Sequence, residues 1–244
     1  MNKLNSSFGY TKVKPKEKTK LVQNVFSEVA NHYNLMNDLM SFGSHRFWKK
    51  KFVEIINPKK DEVIIDVGSG TGDIASNILK TKFNGKLHLL DLNPQMLNIG
   101  KSTFGKNKNV YFHQGNAENL KFKKNTFDKY TISFCLRNIT NIEKSIKEAL
   151  RVLKPGGIYF CLEFSSPNSI ITSQLYKKYR TRTLPCSGKL ITRNKEAYKY
   201  LSESIDLFPN QEKLKNIIEK IGFSDVSYIN LFDGIVTIHK GYKI

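Results

Sequence analysis

A glycine-rich turn with acidic residues on either side is the first feature of this 244-residue sequence that could do chemistry. It reads VIIDVGSGTGD, with Asp66 before the turn and Gly68, Gly70 and Gly72 within it. Glycine lets the backbone turn sharply and approach a ligand closely at the start of a helix. Asp91 ends the next apolar run, where its carboxylate can accept hydrogen bonds from both hydroxyls of a ribose. The pattern therefore predicts a nucleoside-binding site.

The glycine spacing and two further segments narrow the choice of ligand. GxGxG differs from the dinucleotide-binding GxGxxG, so an amino-acid carboxylate and ammonium fit the turn as well as a pyrophosphate does. QGNAENL offers Asn116 and Ala117 beside the expected adenine, and LKPGG precedes a later apolar run. Together these segments resemble the class I S-adenosylmethionine-dependent methyltransferases. The resemblance implies S-adenosyl-L-methionine as the cofactor.

Short β-branched runs alternate with helical patterns through most of the chain, which predicts a doubly wound, mostly parallel sheet. Two closing runs are joined by Asp233-Gly234, a hairpin-type turn. We expect an α/β fold of the Rossmann-like methyltransferase type, with seven strands and an antiparallel hairpin at the end. The predicted strands are EVIIDVG, KLHLLDL, NVYFHQG, FDKYTISFCL, GGIYFCLEF, DVSYINLF and GIVTIHKG. Helices are predicted over Thr19–Tyr33, Arg46–Ile56, Asp73–Thr81, Asn141–Leu153 and Gln211–Ile221.

The segments outside this alternation suggest the domain organisation. Residues 1–18 are polar and lysine-rich and predict a flexible basic arm before a single methyltransferase domain over 19–244. Residues 19–57 are expected to form helices on the substrate side of that domain. Residues 166–208, rich in Ser, Thr, Lys and Tyr, are expected to form a helical insertion or lid after the fifth strand.

The net charge of +19 comes almost wholly from lysine. Such a charge is typical of binding to nucleic acid or anionic lipid, but these lysines are dispersed, which favours ordinary solvated faces. We expect no nucleic-acid partner. Three irregularly spaced cysteines, without a CxxC pair, indicate neither a disulfide framework nor a metal site and fit a reducing cytoplasm. No apolar run approaches the ~18 residues of a membrane-spanning helix.

Several segments are more specific than the cofactor pattern. YNLMNDLMSFGSHRFW and RVLKPGGIYFCLEFS resemble the two signature stretches of the ubiquinone/menaquinone biosynthesis C-methyltransferases, the UbiE/MenG family. TISFCLRNI, YLSESIDLFPNQEKL, GIVTIHKGYK and FGYTKV resemble further parts of it, so that the resemblance covers almost the whole chain. It implies methyl transfer to a ring carbon of a polyprenylated benzoquinol or of a demethylmenaquinol, and the FGYTKV start favours the ubiquinone branch.

The resemblance also implies which residues bind the cofactor. They are Thr71 in the turn, Asp91 at the ribose, Asn116 and Ala117 at the adenine, and Ser133 after the fourth strand; Asp66 and Gly68 come from the turn itself. Three positions depart from the family pattern. Ser69 and Cys135 stand where glycine is usual, and Asn34 stands where aspartate is usual.

A quinol ring carbon is a good nucleophile only when a neighbouring hydroxyl loses its proton, so the site needs a base or a cation near that oxygen. Arg137 and Asn138 follow the fourth strand, where they could stabilise the oxyanion or hold a water. His45 is a candidate base, and Tyr33 could orient the quinol hydroxyl. Structural roles stay open for each of them: an ion pair for Arg137, and packing for His45 and Tyr33.

The expected partner is a prenylated quinol. Met36, Met40, Phe42 and apolar residues of the insertion are expected to enclose its tail, while Lys and Arg of the insertion could contact the inner face of the membrane. A quinone-biosynthesis complex or a homodimer remains open. The alternatives are a methyltransferase for RNA or another small molecule, and a non-catalytic S-adenosylmethionine-binding subunit.

Overall fold

The computed structural model describes residues 6–30, 35, 37–38, 41, 43–183 and 195–244. Its strands are β1 (Ser6–Phe8), β2 (Thr11–Val13), β3 (Val63–Val67), β4 (Lys86–Asp91), β5 (Val110–Gln114), β6 (Phe127–Ser133), β7 (Leu153–Phe164), β8 (Ser224–Leu231) and β9 (Val236–Tyr242). Strands β3 to β9 form one seven-stranded sheet in the order β5-β4-β3-β6-β7-β9-β8. β1 and β2 form a separate antiparallel hairpin.

The pairing within the large sheet confirms the predicted fold class. β3 pairs in parallel with β4 and with β6, and β6 pairs in parallel with β7. β9 is antiparallel to both β7 and β8, so the sheet ends in the expected hairpin. The loops after β3, β4 and β6 therefore meet at one edge of the sheet, the carboxyl edge, where open α/β sheets bind their ligands.

Helices cover both faces of the sheet, so four of the five residues of the central strand β3 are fully buried. One apolar layer includes Phe52, Ile78 and Leu201, and the other includes Ile146 and Leu214. The helices are α1 (Pro15–Val29), α2 (His45–Ile56), α3 (Asp73–Leu79), α4 (Pro94–Phe104), α5 (Ile142–Val152), α6 (Ile170–Lys178), α7 (Lys195–Leu207) and α8 (Gln211–Ile221).

Residues 6–18 differ from the predicted flexible basic arm. Gly9, with φ +55°, turns the chain between β1 and β2. Phe8 stacks on Tyr200 of α7 with ring centroids 4.2 Å apart, and the hydroxyl of Tyr10 donates to Asp206 Oδ2 at 2.7 Å. These contacts with α7, a helix almost 200 residues later in the sequence, hold the hairpin in place.

The first helix begins earlier than the predicted Thr19. Pro15 is its first residue, a position where the absent N–H of proline costs nothing and its φ suits the helix. The helix ends at Val29, and Tyr33 lies outside the described residues.

The predicted insertion 166–208 contains α6, a π-helical turn over Tyr179–Thr183, and α7, and its residues 184–194 lie outside the described part. α7 belongs to the core as well as to the insertion, since Tyr198 and Leu201 are buried. In the described part of the chain, no helix has the length and apolar character needed to cross a bilayer.

Candidate active site

The glycine-rich turn after β3 lies directly against the end of β4. The backbone N–H groups of Gly68 and Ser69 both donate to the carbonyl oxygen of Leu90, at 2.7 and 3.1 Å. Gly68 has φ +67°, and a Cβ there would overlap the sulfur of Cys135. Glycine is therefore required at position 68 by both its conformation and the space around it.

Asp91, at the end of β4, holds the turn in place. Its Oδ2 accepts from the N–H of Gly70 at 2.8 Å, and its Oδ1 accepts from the N–H of Asn93 at 2.8 Å. Burial raises the pKa of Asp91, and these backbone bonds oppose that rise. Each carboxylate oxygen keeps a second lone pair, so the side chain can still accept from the two hydroxyls of a ribose.

An open cleft of about 800 Å³ lies at this edge of the sheet. Six of the predicted site residues line it: Gly68, Asp91, Asn116, Ala117, Ser133 and Asn138. These six residues come from four separate segments of the sequence, and the fold places them around one cavity.

Four polar side-chain atoms in or near the glycine turn and at the end of β6 have unused hydrogen-bonding capacity. Ser69 Oγ, Thr71 Oγ1, Ser133 Oγ and Asp66 Oδ2 are buried, and none has a hydrogen-bond partner among the described residues. Buried polar groups are normally hydrogen-bonded, so four unpartnered atoms so close together are unusual. Of these four residues only Ser133 lines the cleft, whereas Ser69, Thr71 and Asp66 are not among its described lining residues. Ser133 is therefore the one whose hydroxyl can meet a ligand in the cleft directly.

Asp66 lies beneath the turn rather than in the wall of the cleft. Its Oδ1 accepts from the hydroxyl of Thr131 at 2.8 Å, and the carboxyl is 1% exposed. Burial raises the pKa of Asp66 to about 7, partly opposed by the bond from Thr131. The carboxyl group of Asp66 therefore keeps its proton to a much higher pH than an exposed aspartate does.

Asn116 and Ala117 follow β5 at the far end of the cleft. Asn116 Oδ1 accepts from the N–H of Glu118 at 2.8 Å, and the backbone oxygen of Asn116 accepts from the N–H of Asn119. These bonds shape a tight turn that presents Ala117 to the cleft. A flat base fits such a wall, with backbone and amide groups at its edge.

Helix α1 forms a wall of the cleft that the sequence analysis did not assign to the cofactor. Thr19, Val22, Gln23 and Phe26 line it, whereas residues 19–57 were expected on the substrate side. The available signal was the helical repeat of apolar residues at Val22, Val25, Phe26 and Val29. That repeat predicts that one face of the helix is buried, but it does not indicate which part of the molecule the face packs against.

Arg137 and Asn138 occupy a 3-10 turn, Leu136–Asn138, after β6. Arg137 Nη1 pairs with Glu163 Oε1 at 2.6 Å and donates to the carbonyl oxygen of Phe134 at 2.7 Å. Arg137 is buried and is not among the described residues that line the cleft, whereas Asn138 is. The pair therefore braces the turn that carries Asn138.

His45 begins α2 at the same edge and is buried. Its Nε2 lies 2.9 Å from Asp38 Oδ1, and Asp38 also accepts from Arg46. A carboxylate only accepts, so Nε2 carries the proton and Nδ1 is left as a bare nitrogen, buried without a described partner. Burial lowers the pKa of His45, with Asp38 opposing, so the ring is neutral at pH 7. It does not line the cleft formed by the described residues.

Comparison with known proteins adds the family. The model of the ubiE/COQ5 methyltransferase family matches residues 12–243. A protein of Rickettsia bellii, named ubiquinone/menaquinone biosynthesis C-methyltransferase UbiE, is 47% identical over the full length of both chains. The protein of the same name from Zymomonas mobilis is 45% identical over 98% of each chain. In Oryza sativa, the mitochondrial 2-methoxy-6-polyprenyl-1,4-benzoquinol methylase is 41% identical over 98% of this chain and 88% of its own length.

Solved structures agree on the fold. A Thermotoga maritima S-adenosylmethionine-dependent methyltransferase superposes with a TM-score of 0.67 at 20% identity, over 91% of this chain and all of its own. A phosphoethanolamine N-methyltransferase from Haemonchus contortus, solved with S-adenosylmethionine, superposes with a TM-score of 0.61 at 18% identity, over 80% of this chain and 52% of its own. At these identities the likeness concerns the fold alone.

Proposed function

Because the chain belongs to the ubiE/COQ5 methyltransferase family, we propose that it methylates a ring carbon of a polyprenylated benzoquinol, with S-adenosylmethionine as the methyl donor. The observation that carries this proposal is the full-length match to relatives named for quinone methylation, joined to a cleft whose glycine turn and Asp91 suit that donor. The benzoquinol is preferred to demethylmenaquinol because the Oryza sativa relative is named for a benzoquinol.

The bound donor supplies an electrophilic methyl group, so the chain has to orient the quinol and favour loss of its hydroxyl proton. Asn138 is the residue that we assign to the quinol oxygen, since it lines the cleft and an amide N–H can donate to an oxyanion. Arg137, paired with Glu163, acts by holding the turn that carries Asn138.

His45 is the base that we propose for the quinol hydroxyl. Its neutral ring, oriented by Asp38, has the protonation state that a base requires. Tyr33, which lies outside the described residues, is proposed to orient the same hydroxyl. A base must be unprotonated, so turnover should fall as the pH drops through the lowered pKa of His45. His45→Gln should lower kcat and remove this acid limb; an unchanged pH profile would exclude His45 as the base.

Peripheral membrane contact is the second part of the proposal, and helix α6 carries it. Ile170, Ile171 and Leu175 are 75%, 73% and 64% exposed, and Lys177 and Lys178 lie in the last turn of the helix. The hydroxyl of Ser169, just before the helix, donates to Asp233 at 2.7 Å, which keeps α6 at the carboxyl edge. An apolar surface with lysines beside it fits an anionic bilayer, from which a prenylated quinol would come.

Vesicle flotation tests the membrane contact. With phosphatidylglycerol vesicles at low salt, the protein should float, and the double variant Ile170→Glu/Ile171→Glu should not. Ile244→Glu is the matched control, because Ile244 is 88% exposed beyond the end of β9, at the opposite edge of the sheet. Equal flotation of all three proteins would refute a role for α6.

Complementation tests the function itself. A bacterial strain that lacks its quinone C-methyltransferase should regain ubiquinone when it expresses this chain, as measured by mass spectrometry of the extracted quinones. Restoration of menaquinone alone would redirect the proposal to demethylmenaquinol. Accumulation of the unmethylated precursor despite expression of the protein would contradict the proposal.

A further inference from the structure

A buried tyrosine from a distant part of the chain contacts one of the residues that line the cleft. Tyr200 of α7 is 3% exposed, and its ring stacks on Phe8 of the N-terminal hairpin. Its hydroxyl lies 2.9 Å from Oδ1 of Asn138, a residue 62 positions earlier that lines the cleft. The hairpin and α7 together therefore hold a hydroxyl against the amide that we assign to the quinol.

The neighbours of Asn138 determine which way its amide faces. The backbone oxygen of Phe134 lies 3.3 Å from one amide atom and also accepts from Arg137 at 2.7 Å. A carbonyl oxygen only accepts, so the amide atom beside it is Nδ2, and the atom beside Tyr200 is Oδ1. Burial raises the pKa of the Tyr200 hydroxyl. The hydroxyl therefore stays protonated and donates a hydrogen bond to Oδ1.

We propose that Tyr200 is a positioning residue for methyl transfer: by holding Oδ1 of Asn138, it keeps an N–H of Nδ2 available to the quinol oxygen. Nδ2 has two hydrogens, and among the described residues only Phe134 receives one of them. Without the hydroxyl, Oδ1 would be buried without a donor and the amide would turn away to find one. This inference rests on the role proposed above for Asn138.

Tyr200→Phe is the direct test, since it keeps the ring and its stack on Phe8 and removes only the hydroxyl. We expect kcat to fall about tenfold, the scale of one lost hydrogen bond. The dissociation constant of S-adenosylmethionine, measured by calorimetry, should stay within about twofold of the wild-type value. A merely structural role would not separate these two quantities.

Tyr10→Phe is the matched control. It removes another tyrosine hydroxyl that bonds to α7, at Asp206, but that one has no contact with Asn138. We expect wild-type kcat for this variant, and similar melting temperatures for both. If kcat falls equally in both variants, loosening of α7 is the cause and the inference is overturned.

A double-mutant cycle separates this inference from the function on which it rests. Asn138→Ala should lower kcat, and Tyr200→Phe should then lower it by less than about twofold further. A full tenfold effect in that background, or wild-type kcat for Tyr200→Phe alone, would overturn the inference and leave the proposed function intact. Wild-type kcat for Asn138→Ala would instead remove the role of Asn138 and the inference with it.

Discussion

The carboxyl group of Asp66 is buried under the glycine turn, and burial raises its pKa from an ordinary 3.8 to about 7. Below pH 3.8 both the folded and the unfolded chain hold the proton. Between pH 3.8 and 7 the unfolded chain ionises while the folded chain still binds the proton, so the free energy of unfolding falls as the pH rises. Well above pH 7 both chains are ionised, and the loss is complete.

Asp66→Asn should remove this pH dependence. Its stability advantage over the wild type is expected to grow between about pH 4 and pH 7 and then to level off. Urea unfolding of the ligand-free protein at a series of pH values measures this difference. A difference that does not vary with pH would show that the pKa of Asp66 is not raised.

Gly68 and Cys135 form a second testable pair at the residue scale. Gly68→Ala adds a Cβ that overlaps the Cys135 sulfur at a positive φ, so it should cost well over the ~1–2 kcal/mol of the backbone strain alone. In a Cys135→Gly background the overlap is gone, and the cost should fall to about that strain. Urea unfolding of the four proteins gives the two costs. Equal costs in both backgrounds would mean that the sulfur does not restrict the turn.

At the scale of elements, hydrogen bonds hold α1 along the cleft that we propose for the cofactor. Lys18 Nζ donates to the carbonyl oxygen of Ile139 at 2.9 Å, and the hydroxyls of Thr19 and Thr140 are 3.0 Å apart. On its other side, Asn93 Nδ2 donates to Ser27 Oγ at 2.8 Å. The helix therefore bridges the loop after β4 and the loop that precedes α5, and the cofactor would enter beneath it.

Loosening one side of α1 should speed release of the cofactor. For Lys18→Met/Thr19→Val, we expect the dissociation rate of S-adenosylmethionine to rise about thirtyfold, because two hydrogen bonds of about 1 kcal/mol each are lost. Stopped-flow fluorescence measures this rate. Lys20→Met, on the exposed side of the helix, serves as the control. An unchanged rate in the double variant would mean that α1 does not limit release.

The elements differ in how far the sequence predicted them, and the reason is physical. β3, the glycine turn and Asp91 were predictable because a buried strand, a tight turn and a strand end each leave a local pattern. The order of β1 and β2 depends on contacts with α7, almost 200 residues away, and no local pattern encodes those. Pro15 at the start of α1 is a local signal in the sequence for the beginning of that helix.

The candidate site was likewise predictable only in part. Gly68, Asp91, Ala117, Ser133 and Asn138 line one cleft, since parallel strands bring their carboxyl ends together, and the sequence could predict this proximity. The hydrogen-bond partners that fix the side chains of Arg137, Asn138 and Asp66 were not predictable. Glu163 for Arg137, Tyr200 for Asn138 and Thr131 for Asp66 each come from another element, and only the packed fold brings them close.

At the scale of the whole molecule, the residues to which we assign the proposed reaction lie at the carboxyl edge. The cleft lies between α1 and the strand ends, Asn138 lines it, and the exposed helix α6 begins at the same edge. A prenylated quinol held in a bilayer would thus meet the cofactor without the chain having to extract it fully. The central claim of this account is that the edge transfers a methyl group to a quinol carbon.

One measurement tests that claim most directly. The purified protein is incubated with S-adenosylmethionine that carries a trideuterated methyl group and with a chemically reduced, short-chain prenylated benzoquinol, and the product is examined by tandem mass spectrometry. The account predicts a product with one trideuterated methyl on a ring carbon, and very little of it with Asp91→Ala. A methyl group found on oxygen, or no labelled quinone from a protein that binds S-adenosylmethionine, would contradict it.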